Sequence, residues 1–159
     1  MPTSQRQGVA VERRILSHEH REMEHVMGRI EATAEMAGNL AARDLASALR
    51  SLLDSIEKTV LPHLDWEDNF CYPEMDRLAQ TAWATRLLRL QHQQIRQGID
   101  RLEADWLALR REPTHRQLVD LRARLYGVHA LMSSHFEQEE RVILPFLDEN
   151  RMEARSEEE

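Results

Sequence analysis

The 159-residue chain carries one pattern twice, offset by 72 residues: His20 aligns with His92, His63 with His135, Glu67 with Glu139 and Pro73 with Pro145. The repeated unit is a His, a second His 43 residues later, a Glu four residues after that and a Pro six residues beyond the Glu. A repeat of this length constrains the fold first, because each copy must be one supersecondary unit that buries its apolar face against the other. It also duplicates a set of ligand-type side chains, four imidazoles and two carboxylates.

Helical periodicity runs through both copies. With only 5 Gly, 5 Pro and 3 Phe, and much Leu, Ala, Arg and Glu, the composition favours an all-α protein. The expected helices run from Val9 to Ala37, stopping at Gly38-Asn39, and from Arg43 to Phe70, stopping before Tyr72-Pro73. A third runs from Gln80 to Arg111 and stops before Pro113. The fourth starts at Thr114 as N-cap and reaches Leu144-Pro145, followed by a short turn and the acidic tail RSEEE. Residues 1–8 then form an N-terminal tail, 9–150 one domain and 151–159 the C-terminal tail.

Apolar residues recur at four- and three-residue steps, the spacing of bundle seams. The seams read Leu16, His20, Met23, Met27, Ile30, Ala34; Leu49, Leu53, Ile56, Val60, His63, Glu67; Leu88, His92, Ile95, Ile99, Leu102, Trp106; and Leu121, Leu125, Val128, Met132, His135, Glu139. All six repeated His and Glu residues thus occupy seam positions. Burying such groups without partners costs several kcal/mol each, and a metal compensates directly. His20 and His63 are equidistant from the break after Gly38-Asn39, and His92 and His135 from Pro113-Thr114. His63 and His92 are equidistant from the stretch between Pro73 and Gln80. In an up-down-up-down four-helix bundle of two αα-hairpins, all four His therefore lie at one level, with each Glu one turn beyond its His.

Imidazole and carboxylate together suit iron, manganese or zinc. With Glu67 and Glu139 each bridging two metals and two His on each, four protein contacts per metal leave positions for solvent and an exchangeable ligand. Met23, Met27, Val60, Ile95 and Met132 are placed to keep that pocket dry, which favours small apolar ligands such as dioxygen or nitric oxide.

These residues resemble the bacterial hemerythrin-like HHE cation-binding family, through LSHEHREMEHVM, VLPHLDWEDNFCYPEMD, LLRLQHQQIRQGI and MSSHFEQEERVILP. The resemblance covers about Val9 to Asn150. It implies a four-helix bundle around a non-heme di-iron centre, oxo- or hydroxo-bridged, with manganese or zinc as other occupants. It also implies that His20, His63, His92 and His135 are terminal ligands and that Glu67 and Glu139 are bridges. Oxygen-carrying hemerythrins place a further His four residues after the helix-3 His; here that position is Arg96. The chain looks more like members linked to nitric oxide response, iron supply or peroxide handling. Three functions follow: binding of a small diatomic or peroxide in sensing, stress response or iron handling; peroxidase-, catalase-like or nitric oxide-reducing turnover at the same site; and iron storage or delivery.

The other singular residues read more plainly. His18 and His25 share a solvated face, although Glu22 beside them permits an accessory metal site. His115 is expected at the surface, His129 in packing or at the surface, and Glu140 turned away from the seam. Cys71 reads as a small buried thiol, and Pro62 as a kink that adjusts His63. The single E-x-x-H from Glu22 to His25 does not make a ferritin-type site, which needs two. A net charge of −7 argues against nucleic acid and anionic membranes, no apolar run approaches a bilayer span, and MPTSQRQGVAVERR lacks a signal peptide's apolar stretch. A lone Cys fits a cytoplasmic protein. The expected partners are a small diatomic ligand or peroxide and an external electron donor, for a monomer or homodimer.

Overall fold

The computed structural model describes residues 21–39, 41–109 and 112–156, with the stretch from 147 onward as backbone. Among these residues all regular structure is helical, arranged as an up-down-up-down bundle. Helix α1 covers residues 21–36 and closes at Gly38-Asn39 as the sequence implies, with Asn39 N–H donating to the Met36 carbonyl at 2.9 Å.

Helix α2 is one continuous helical run in five segments: α-helical Ala42–Ser55, π-helical Ile56–Val60, α-helical Leu61–Trp66, π-helical Glu67–Cys71 and α-helical Tyr72–Ala79. The expectation that it stops before Tyr72-Pro73 is thus corrected. The physical reason lies in the two wide turns. Proline has no N–H, and its ring collides with the carbonyl four residues back in a regular α-helix. A π turn precedes each proline, with Leu61 N–H reaching the Ile56 carbonyl and Tyr72 N–H the Glu67 carbonyl. The extra residue per turn makes room for the ring, and Pro62 and Pro73 each fall in the first turn of the next α segment. The expected adjustment at Pro62 is therefore a widened turn. Helix α2 finally stops at Gln80, whose φ of 51° is left-handed.

Helix α3 spans Trp83–Ala108 and α4 spans His115–Ser156. Thr114 caps α4 as expected, in a reciprocal box with Gln117: Gln117 N–H donates to Thr114 Oγ1 at 3.2 Å and Thr114 N–H to Gln117 Oε1 at 2.8 Å. The expectation that α4 ends near Pro145 is corrected as well, for the helix passes through it to Ser156. Ile143 and Phe146 on either side pack into the core, and that packing outweighs one missing backbone hydrogen bond.

Every described seam position except Met27 and Trp106 is fully buried, and those two are half-buried against the core. The core has two apolar clusters. The larger runs along the bundle from Leu45 and Ile30 to Leu64 and Phe136; the smaller gathers Tyr72, Met75, Leu88 and Ile143 at one end. His63, Glu67, His92, His135 and Glu139 form a buried polar layer between them in chain position. Helices α3 and α4 pack closely, and Arg124 holds Asp105 across them through two contacts of 2.5 and 2.6 Å. No described helix is long and apolar enough to cross a membrane.

Two glycines give a direct test of that packing. A Cβ on Gly98 would meet Val128 Cγ2 at 2.7 Å, whereas one on Gly127 would meet nothing within 4 Å. Gly127→Ala should stabilise the fold by about 0.5–1 kcal/mol through helix propensity. Gly98→Ala should lose that gain to overpacking and lower the stability. Thermal unfolding of both variants reads the opposite signs.

Candidate metal centre

Three helices bring five of the six expected ligands together. Helix α2 supplies His63 and Glu67, α3 supplies His92, and α4 supplies His135 and Glu139; all five are buried. His20 lies outside the described residues, as does His18. Glu67, His92, His135 and Glu139 each turn a donor atom into one cluster whose members lie within 4.8 Å of one another.

The distances inside the cluster match a coordination sphere. Metal–ligand bonds of about 2.1 Å at right angles place two donors about 3 Å apart. His92 Nε2 lies 3.1 Å from His135 Nε2 and 3.2 Å from Glu67 Oε2. His135 Nε2 lies 3.4 Å from Glu139 Oε1 and 3.9 Å from Glu67 Oε2. The second oxygen of Glu67 faces elsewhere: Oε1 is 3.2 Å from His63 Nε2. Glu67 therefore spans two groups of donors, with His92 and His135 on one side and His63 on the other.

Hydrogen bonding alone leaves this arrangement unsatisfied. Neither oxygen of buried Glu67 accepts a hydrogen bond of good geometry, although three imidazoles approach it. Among the described residues, no Arg or Lys side chain is fully buried that would balance the two carboxylates. An orphaned buried carboxylate costs several kcal/mol. The residues fit a bound cation, which would neutralise the carboxylates and use the nitrogen lone pairs together.

Burial on its own pushes the Glu67 carboxyl up, yet His135, His63 and His92 together hold it well below the usual range. Burial likewise opposes a charge on His92, but Glu67 and then Asp68 outweigh it and hold this imidazole above its ordinary value. Burial, and then the charges of Glu67 and Glu139, push the Tyr72 phenol far up, so it stays protonated.

A model of the hemerythrin HHE cation-binding domain matches residues 11–147. The chain belongs to that family. No curated protein and no solved structure matches it. The HHE assignment and the buried His/Glu cluster agree on a metal-binding protein.

Sequence spacing missed three residues that contact the buried His/Glu cluster. Tyr72 donates its hydroxyl to Glu139 Oε1, and its oxygen lies 3.2 Å from His92 Nε2. In a regular α-helix Tyr72, five residues after Glu67, would point about 140° away from it. The π turn Glu67–Cys71 brings it back to the site. Asp68 Oδ1 is 2.9 Å from His92 Nδ1, and Gln91 Oε1 is 3.2 Å from His135 Nδ1. The tyrosine's one sequence signal is the proline that follows it, which forces the wide turn. His25, His115 and Glu140 are exposed as expected. Cys71, which closes the π turn, is half-buried against the smaller apolar cluster, less enclosed than the buried thiol expected.

Two predictions follow from the charges. In the metal-free chain, Glu67 contributes stability above its unfolded value near 4.5 and loses it as pH falls towards its depressed folded value. His92 contributes stability below its unfolded value near 6.5 and loses it as pH rises through its raised folded value. For these two groups stability should therefore peak between 4.5 and 6.5, measured by urea unfolding across pH. Tyr72→Phe should cost the metal-free chain about 1.5–3 kcal/mol, the worth of a hydrogen bond to a charged group, read in the same experiment.

Proposed function

We propose that the chain holds two iron ions and uses them to bind a small diatomic ligand or peroxide. The observation that carries this reading is Glu67, whose Oε1 faces His63 and whose Oε2 faces His92, each at 3.2 Å. Glu67, Glu139, His92 and His135 would hold one ion. His63 and Glu67, with Glu139 and with His20 from the sequence repeat, would hold the other. Iron bound there supplies redox equivalents and Lewis acidity.

The chain's own residues do the remaining work. Glu67 ties the two donor groups together through one rigid carboxylate. Buried Val60, Ile95 and Met132 belong to the apolar cluster beside the site and exclude water, which favours dioxygen, nitric oxide or peroxide over charged substrates. Phe136 packs against both His63 and His135, at ring separations of 6.2 and 5.4 Å, and restrains their planes. Tyr72 keeps a proton on its hydroxyl inside the pocket.

That phenol also favours a second reading, an enzyme that consumes peroxide, because its hydroxyl stands beside His92 and Glu139 as a hydrogen-bond donor that can orient a peroxide oxygen. An external electron donor belongs to either reading.

Iron-loaded protein should contain two irons per chain and an absorption spectrum that changes on adding dithionite. His63→Ala and Glu67→Ala should each leave one iron or fewer, and moving from pH 7 to pH 5 should release metal, because protonated imidazole cannot ligate. Less than one iron per wild-type chain, or a metal content indifferent to pH, overturns the proposal. Peroxide turnover by the wild type that disappears in His63→Ala decides for the enzyme.

A further inference from the structure

We propose that Asp68 is a positioning residue for His92, anchored by Arg96 and Arg89, and that it makes His92 a stronger metal donor than His135. This inference rests on the metal-binding reading above. His92 and His135 share one geometry towards the cluster, each presenting Nε2, with the two atoms 3.1 Å apart. They differ behind the ring. His92 Nδ1 has the Asp68 carboxylate at 2.9 Å, at an angle bent from a straight hydrogen bond. His135 Nδ1 has the neutral Gln91 amide oxygen at 3.2 Å.

Gln91 accepts from His135 Nδ1–H and so leaves that ring's Nε2 lone pair for the metal, while the Asp68 carboxylate beside His92 Nδ1 favours a proton on that atom through its charge. Only the carboxylate adds charge, and charge behind the ring raises the imidazole's basicity and its donation to a cation.

Asp68 is itself held from several directions. Arg96, on α3 one turn beyond His92, turns outward to α2 and places a guanidinium nitrogen 2.9 Å from Asp65 Oδ1 and 3.4 Å from Asp68 Oδ2. Arg89, one turn before His92, donates to the Asp68 backbone carbonyl at 2.9 Å and lies over the Tyr72 ring at 5.3 Å. Its other guanidinium nitrogen is 3.4 Å from Asp76 Oδ2, and Asp76 also accepts from Thr85. Two arginines flanking His92 thus tie α3 to the start of the π turn that carries Glu67 and Asp68. The isolated surface ion pairs are individually weak; their consequence is a fixed carboxylate behind one chosen imidazole.

The test compares full-length wild type with Asp68→Asn, Arg96→Ala, Arg96→Lys and Gln91→Glu. The readouts are ferrous iron and zinc affinity by chelator competition and the midpoint potential of the iron-loaded protein. Asp68→Asn should weaken metal binding 10–100-fold and raise the potential, because a poorer donor favours the reduced metal. Arg96→Ala should shift both in the same direction by less, and Arg96→Lys should restore most of the loss. Gln91→Glu should lower the potential by giving His135 the carboxylate that His92 already has. A merely structural role for Asp68 would lower the melting temperature and leave the potential unmoved. If Asp68→Asn does not fold, Gln91→Glu and Arg96→Ala decide. Wild-type affinity and potential in the folded variants overturn this inference and leave the metal-binding reading standing; a wild-type chain that takes up neither metal overturns both.

Discussion

Glu67 is a fully buried carboxylate with three imidazoles pointing at it. In an apolar bundle that is an expensive place for an anion, and the surrounding structure answers the cost. The five described His and Glu side chains come from three helices and form one layer, so their burial is possible only when all three helices are docked. The layer falls between two apolar clusters, whose burial supplies the driving force for that docking. Balance of charge then requires protons or metal ions, since among the described residues no Arg or Lys is fully buried. The raised His92 and the depressed Glu67 are the protonic answer. The family to which the chain belongs indicates the metallic one.

Helix α2 shows how local backbone chemistry serves that layer. Two prolines that would end or kink a regular helix are each preceded by a π turn. The widened turns keep the helix running and change its phase. His63 follows the first wide turn and Glu67 opens the second, so both ligands stand beside a phase change. Tyr72 closes the second and thereby enters the site. A proline that looked like a terminator is thus part of the device that brings a phenol to Glu139.

The seams were legible because a 3.6-residue period held wherever the helices are regular. Leu121, Leu125, Val128, Met132, His135 and Glu139, read as one stripe, are all buried. The common level of the His residues followed from the symmetry of hairpins about their turns, and His63, His92 and His135 do meet around Glu67. The seam read through Ile56, Val60, His63 and Glu67 holds across the first π turn; the period failed at the second, which hid Tyr72 and the continuation of α2 to Ala79. Asp68 and Gln91 were hidden for another reason. Each stands next to a ligand in sequence, a position that on one helix alone points away from the site. They become partners of His92 and His135 only through the neighbouring helix, and no periodicity within one segment encodes that.

Arg96 brings these strands together. Oxygen-carrying hemerythrins, from which the sequence departs here, are expected to hold another His at its position, and the difference reads as a simple loss of a ligand. The structure gives the replacement its own work: the guanidinium leaves the cluster and engages Asp65 and Asp68 on α2. The donor set loses an imidazole while the carboxylate behind His92 gains an anchor. On the metal-binding reading proposed above, fewer inner donors would leave more of the metal's positions for an external ligand, and a charge-backed His92 would stabilise an oxidised ion. Those two effects would favour reaction with an oxidant over its reversible carriage, and both trace to one residue on the outward side of α3.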